Sequence, residues 1–176
     1  MTNFFTILEI PISLSPDPER IESSWREKAK ESGEADLHEA RAVLTDPVRR
    51  LDHWLALQNV EPERGSSIDP EMMDLFSRLH SVLAEADQII GGLKEASTAL
   101  TRALLSKEAI AAQLAIQECM KTVREEKDLR IERYSSFEES AETGKFDGAV
   151  ATLGQLKFLQ KWEQQCQERL LTLLDY

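Results

Sequence analysis

The 176-residue chain is poor in the residues that turns, metal sites and disulfide frameworks need. It has seven glycines, six prolines, three histidines and two cysteines. So few turn-forming residues argue against an all-β fold, and two cysteines cannot supply a disulfide framework or a four-ligand metal site. Composition leaves open whether Cys119 and Cys166 are free thiols or form one disulfide.

Basic residues are also scarce, with 21 Lys and Arg against 32 Asp and Glu and a formal charge of −11. We expect no nucleic-acid partner and no membrane partner, because the phosphates of both attract Lys and Arg clusters. No stretch reaches the ~20 apolar residues of a membrane span. The first five residues, Met1–Phe5, lack the basic and apolar regions of a signal peptide. A cytoplasmic location is therefore expected.

All six prolines lie in the first seventy residues. Since proline lacks an N–H and starts or breaks helices, this predicts short helices first and long uninterrupted helices afterwards. Asp-Pro pairs at 17–18, 46–47 and 69–70 are signals for helix starts. The sequence predicts a helical N-terminal domain over residues 1–60, a linker over 61–69 and a second domain over 70–176.

The second domain carries apolar residues at a period near 3.6 in three segments, which predicts an elongated antiparallel three-helix bundle. The first segment contains Gly91-Gly92, and the pattern leaves open whether its helix breaks there. Ser106 is a candidate cap for the second segment and Gly144 for its C-terminal end, and the third helix is expected over Phe146–Leu174. In the second segment the predicted apolar stripe includes Ile110, Leu114, Cys119, Met120, Val123, Leu129 and Tyr134.

No group of residues with the spacing of a catalytic or metal site occurs in the sequence. His38, His53 and His80 are well separated, and there is no HExxH, GxSxG, phosphate-binding loop or dinucleotide-binding fingerprint. The many neighbouring carboxylates are typical of a solvated helix surface. We therefore expect no enzymatic activity, no metal site and no cofactor.

Three segments resemble the HscB-type iron–sulfur co-chaperones, which are J-domain proteins. Asn3–Pro11 (NFFTILEIP) is similar to the family's N-Y-F-x-L-x-x-L-P opening. Glu39–Leu51 and the following Trp54–Leu57 resemble its N-x-A-Y-x-T-L-x-D-P-x-R-R-A-x-Y-L-L-x-L segment. Leu156–Lys161, with the LLTLLDY ending, is similar to its last helix. The resemblance implies an all-α fold with a small J-domain-like head followed by the three-helix bundle.

One departure concerns the activity of J-domains. A J-domain stimulates a DnaK-type ATPase through a His-Pro-Asp tripeptide between its second and third helices. Here that connection is Glu31–Asp36 (ESGEAD), and no His-Pro-Asp occurs anywhere in the chain. The chaperone-facing helix is expected to be basic, but acidic residues offset its charges, which predicts weakened contact with a DnaK-type chaperone. The basic residues in question are Arg20, Arg26, Lys28 and Lys30.

The family binds its iron–sulfur scaffold through apolar residues early in the first bundle helix and a Phe in the last. Two alignments with the family are open. Without gaps, the F-L-M-E run of the family falls on Met72–Leu75; after a one-residue slip, its L-M-E falls on Met72–Asp74. In the gapless alignment Ser77 and Arg78 replace an apolar and an acidic residue, which alters the expected partner preference. The predicted partner-binding residues are Met72, Met73, Phe76, Leu79 and Phe158.

The resemblance implies a non-enzymatic adaptor for iron–sulfur cluster assembly that binds a scaffold or client protein and does not stimulate a DnaK-type ATPase. A second hypothesis is a helical interaction or dimerisation module that kept this architecture for an unrelated assembly. An enzyme is a third class, which the sequence does not favour.

Overall fold

The computed structural model describes residues 2–31, 35–61 and 70–176, and within those ranges all regular structure is helical. The predicted all-α class is confirmed. None of the helices in those ranges has the length and hydropathy that a membrane crossing needs. The eight helices found there are α1 (Phe4–Ile7), α2 (Pro18–Glu31), α3 (Ala35–Thr45), α4 (Pro47–Leu57), α5 (Pro70–Glu95), α6 (Ala99–Ile131), α7 (Tyr134–Ala141) and α8 (Asp147–Leu174).

The Asp-Pro pairs start helices as predicted wherever the structure describes them. Asp17 Oδ1 accepts the N–H of Glu19 at 3.0 Å, directly before α2. Asp46 caps α4 by accepting the N–H groups of Val48 and Arg49 at 2.8 and 3.2 Å. α5 begins at Pro70, but Asp69 lies outside the described residues, as do residues 62–69 of the predicted linker and Ser32–Glu34 of the connection that lacks His-Pro-Asp.

The chain divides into two compact units. Unit 1 consists of the described residues within Met1–Ser66 and Leu129–Lys157, and unit 2 of those within Ser67–Asp128 and Phe158–Tyr176. Both α6 and α8 contribute residues to each unit. This division differs from the domain boundaries that the sequence suggests, because residues of 129–157 pack with the N-terminal helices instead of with the bundle.

In unit 1, α3 packs against α1, α2 and α4. Arg50, which is 8% exposed, links elements of unit 1 through its guanidinium. Its Nε donates to Leu14 O at 2.9 Å and its Nη1 to Leu44 O at 2.6 Å, so it joins the segment before α2 to the end of α3. The core residues around α3 are Phe5, Leu8, Ile10, Ile21, Leu37, Ala40 and Leu44.

The expectation of one helix running through Tyr134 is wrong, because Tyr134 packs in a second hydrophobic cluster of unit 1. α6 ends at Ile131 and α7 begins at Tyr134, whose fully buried ring packs near Phe137 and whose hydroxyl donates to Pro47 O at 2.9 Å. Because this anchor fixes Tyr134 against the start of α4, the helix is interrupted just before it. Gly144 ends α7 as expected: its φ is +72°, and Lys145 N–H donates to Ser140 O at 3.1 Å.

In unit 2, α5, α6 and α8 form a three-helix core. The N–H₂ of Gln113 donates to Leu173 O, and Arg124 pairs with Glu163, so α6 and α8 run antiparallel. The Asp87–Arg169 ion pair adds a contact between α5 and α8. α5 continues through Gly91-Gly92 to Glu95, which resolves the question of a break there.

The side of α6 that faces this core includes Cys119, Met120 and Val123 of the predicted stripe and differs from that stripe elsewhere. Its buried residues are Ala109, Ala112, Ile116, Cys119, Met120 and Val123. Ile110, Leu114 and Leu129 are exposed, and Ser106 lies inside the helix instead of capping it. The expectation was wrong at Ile110 and Leu114 because α6 carries apolar residues on more than one side near its start, where periodicity alone does not tell which side is buried.

Candidate protein-binding surfaces

The predicted partner-binding residues of α5 separate into a buried row and an exposed row. Met72 and Leu79 are 2% and 1% exposed and belong to the core of unit 2. Met73 and Phe76 are 46% and 40% exposed, one position away from that row, and His80 continues the exposed row. Met72 and Leu79 therefore support the surface from below, and Met73 and Phe76 form it.

Phe158 comes from α8, yet the fold brings it to the same place as Phe76. The centroid of the Phe76 ring lies 5.6 Å from the Trp162 indole, and the Phe158 ring lies 6.5 Å from the same indole. Phe76 also stacks on His80 at 6.1 Å between ring centroids. We call Met73, Phe76, His80, Phe158 and Trp162 the aromatic cluster.

Sequence reasoning missed two members of the aromatic cluster. The family resemblance points to neither His80 nor Trp162. Each lies four residues after a predicted member, Phe76 or Phe158, and residues at that spacing share a helix face. That spacing is the signal that would have found them. Trp162 is 4% exposed, so its indole is buried and the two phenylalanines pack against it.

Ion pairs hold the helices of unit 2 beside the aromatic cluster. The carboxylate of Glu163, one residue after Trp162, accepts from Arg124 Nε and Lys127 Nζ, both at 2.7 Å. Burial alone would raise the pKa of Glu163, but these two hydrogen bonds outweigh it, and the pKa is lowered. The Arg169 guanidinium pairs with Asp87 at 3.2 Å. The register of α8 against α5 and α6 is therefore fixed by charge as well as by packing.

The structure does not gather the four predicted chaperone-facing bases of α2 on one side. At about 100° per residue, Arg26 and Lys30 lie about 40° apart, whereas Arg20 lies about 100° and Lys28 about 180° from the middle of that pair. Arg20 and Lys28 line one groove together with the carboxylates of Glu9 and Glu27. Lys28 Nζ lies 2.6 Å from Glu9 Oε1. Acidic neighbours thus offset the positive charge of this groove.

The inner side of α2 has a structural role. Arg41 of α3 holds its guanidinium 4.3 Å from the centroid of the Trp25 ring and donates from Nε to Glu22 Oε1 at 2.7 Å. That hydrogen bond lowers the pKa of Glu22. Ser24 donates from its hydroxyl to Leu8 O. These contacts attach α2 to α1 and α3.

Cys119 and Cys166 are free and buried in the core of unit 2. Burial raises the pKa of the Cys119 thiol and raises that of Cys166 to about 11. Both are therefore thiols instead of reactive thiolates at neutral pH. In the ranges that the structure covers, no three His, Cys, Asp or Glu side chains come together as a metal site would require.

The helical fold is of the HscB type. The solved structure of chaperone HscB from Vibrio cholerae is similar to 95% of this chain and covers 96% of its own length, with a TM-score of 0.55 and 17% sequence identity. At that identity the similarity establishes the fold alone. No family model matches the sequence, and no curated protein matches it either.

Proposed function

We propose that the protein is a co-chaperone-like adaptor, without enzymatic activity of its own, that binds an iron–sulfur scaffold or client protein through the aromatic cluster. The observation that carries the proposal is the meeting of Phe76 and Phe158 on the indole of Trp162. The family resemblance points to these two phenylalanines on separate segments of the chain, and their rings lie on the same indole in the fold. The similarity to a solved chaperone over nearly the whole chain supports the same role.

The aromatic cluster has the make-up of a binding surface. Residues that dominate the energy of protein interfaces are enriched in large aromatic side chains that fill pockets on the partner. Exposed methionine adds a flexible apolar contact that adapts to the partner's shape. Met73 and Phe76 provide these groups on α5, and Asp74 and Arg78 provide charges of both signs nearby. A partner with an apolar docking segment fits this surface.

The proposed adaptor does not activate a DnaK-type ATPase. The chain contains no His-Pro-Asp tripeptide, and the positive charges of α2 are spread around the helix instead of lying on one side of it. Charge complementarity with an acidic chaperone surface is weak for such an arrangement. The proposed setting is cytoplasmic, which accords with two buried free thiols in place of a disulfide.

Binding of the iron–sulfur scaffold protein from the same organism, measured by calorimetry, tests the docking surface. Met73→Glu and Phe76→Ala should each weaken binding about tenfold or more, because the first places a charge in the apolar contact and the second removes an aromatic anchor. Leu171→Glu is the matched control, because Leu171 is an apolar residue of α8 that is 65% exposed and lies outside the aromatic cluster. Its affinity should equal that of the wild type.

The proposal fails if the wild-type protein binds neither the scaffold nor an iron–sulfur client. It also fails if Leu171→Glu weakens binding as much as Met73→Glu. Phe158→Ala is used only after its unfolding curve has been compared with that of the wild type, because Phe158 packs partly against the core.

A single-turnover ATPase assay with the DnaK-type chaperone of the same organism tests the second part. The full chain should leave the hydrolysis rate unchanged, and a co-chaperone with an intact His-Pro-Asp serves as the positive control. Clear acceleration by this chain would contradict the proposal that it lacks ATPase-stimulating activity.

A further inference from the structure

The exposed ring of Phe76 lies beside two other rings, which come from two different helices. The His80 ring of α5 stacks on it at 6.1 Å between centroids, with 24° between the ring planes. The Trp162 indole of α8 lies 5.6 Å away and is tilted by 33°. Aromatic pairs at such distances attract each other beyond the area that they bury. These contacts restrict the Phe76 ring, although the residue is 40% exposed.

The Trp162 indole is shared by the phenylalanines of two helices. Phe158 lies four residues before Trp162 on α8, and its ring centroid is 6.5 Å from the indole with 38° between the planes. Phe76 reaches the same indole from α5. Trp162 therefore joins the part of the aromatic cluster that α5 carries to the part that α8 carries.

The indole itself is fixed in the core of unit 2. Trp162 is 4% exposed and packs among the buried residues of that core. The next residue, Glu163, accepts from Arg124 and from Lys127 of α6, both at 2.7 Å. Because protein interiors are close-packed, a side chain held in this way has little room to move. The two phenylalanines thus pack on a rigid support.

We propose that Trp162 is a positioning residue for docking: its indole holds Phe76 and Phe158 where the partner binds them, so that the two phenylalanines act as one unit. This role rests on the proposed function, because it concerns the same surface. Side chains that are ordered before binding lose less conformational freedom in the complex, which strengthens binding. Loss of the indole therefore weakens docking without any contact between Trp162 and the partner.

Trp54 offers a matched control for the loss of a buried indole. It is 4% exposed, as Trp162 is, and its ring lies 5.9 Å from the ring of Phe146. It belongs to a core cluster of unit 1 and not to the aromatic cluster. Leucine at either position keeps an apolar side chain in the core and removes the ring. Both leucine variants should lose stability, but only Trp162→Leu should lose partner affinity.

Calorimetric binding of the iron–sulfur scaffold protein from the same organism tests this difference, after circular dichroism has shown that each variant is folded. Trp162→Leu should weaken binding about tenfold or more. Trp162→Phe keeps an aromatic ring and should recover most of that loss, and Trp54→Leu should bind within about threefold of the wild type. Equal losses for the two leucine variants overturn the proposal, as do wild-type affinity in Trp162→Leu and an absence of recovery in Trp162→Phe.

A double-variant cycle tests whether the two phenylalanines act as one unit, and it leaves Trp162 in place. Phe76→Ala and Phe158→Ala should each weaken binding. The double variant should weaken binding by clearly less than the product of the two single factors, because the effects of residues that share a partner are not additive. A double variant that reaches the full product shows two independent anchors and overturns the proposal.

An NMR measurement on the free protein distinguishes failure of this role from failure of the proposed function. The indole N–H signal of Trp162, assigned by its absence in Trp162→Phe, should shift in Phe76→Ala and in Phe158→Ala but not in Leu171→Ala. No shift in the two phenylalanine variants overturns the positioning role whether or not a partner binds. Shifts in both, together with a wild type that binds no iron–sulfur protein, refute the proposed function and with it the docking role, while they confirm the arrangement of the rings.

Discussion

Replacement of Arg50 by methionine should destabilise unit 1 strongly, because the Arg50 guanidinium donates to two buried backbone carbonyl groups. Its guanidinium donates to Leu14 O and Leu44 O at 2.9 and 2.6 Å, and both of those residues are fully buried. Methionine keeps much of the apolar stem but has no donor. Each buried carbonyl left without a partner costs about 1–3 kcal/mol.

The net loss is smaller than the sum of these two costs. Burial lowers the pKa of Arg50, which shows that the folded state already carries a desolvation penalty for its charge. Removing the guanidinium removes that penalty. We therefore expect Arg50→Met to lower the free energy of unfolding by about 2–4 kcal/mol.

The neighbouring Arg49 provides a matched control. Its guanidinium pairs with Glu39 at 2.6 Å, but the two side chains are 44% and 54% exposed. An exposed pair of this kind contributes about 0–1 kcal/mol, so Arg49→Met should have little effect. Urea unfolding followed by circular dichroism measures both variants. Equal losses for the two variants would refute the reasoning, as would recovery of the Arg50→Met loss at high salt.

Three further predictions concern pH, helix propensity and thiol chemistry. His53 accepts a backbone N–H, and burial lowers the pKa of its imidazole. The stability that neutral His53 contributes is therefore present above the unfolded-state pKa of ~6.5 and is lost as the pH falls through the folded-state value. On acidification the urea midpoint should fall less for His53→Gln than for the wild type, and equal slopes would contradict this. Gly91→Ala should add about 0.5–1 kcal/mol to the free energy of unfolding, whereas Gly92→Ala should add less because a Cβ there would lie 3.2 Å from a leucine of α6. Calorimetric melting compares the two variants, and equal gains in stability would be inconsistent with that contact. Cys119 and Cys166 should react slowly with a thiol reagent in the native protein and quickly in urea, and fast native labelling would show that they are not buried.

The short helices and their starts were predictable because the signals are local. Asp46 and Pro47 fix the beginning of α4 by a cap and a missing N–H, whatever the rest of the chain does. The neighbouring Arg49 and Arg50 read as one motif, yet only the structure separates their roles. Which carbonyls lie within reach of a guanidinium depends on residues far apart in sequence, such as Leu14.

Two features of α6 and α7 could not be derived from periodicity. Near the start of α6 large apolar residues such as Ile110 and Leu114 lie on the exposed side, whereas small alanines lie on the buried side, so the pattern cannot decide there which side is covered. The end of α6 before Tyr134 follows from a hydrogen bond to Pro47, 87 residues away. For the aromatic cluster, the motif resemblance led to Phe76 and Phe158, and the indole that joins them emerged only from packing across helices.

The most direct test of the proposed docking function is site-specific photo-crosslinking from position 76 in cells of the native organism. A photoreactive phenylalanine analogue fits there because Phe76 is already aromatic and 40% exposed. Position 171 on α8 carries the same probe as a control. The account predicts that an iron–sulfur scaffold or client protein is crosslinked from position 76 and not from position 171. Identical products from both positions, or no iron–sulfur protein among the products from position 76, would contradict it.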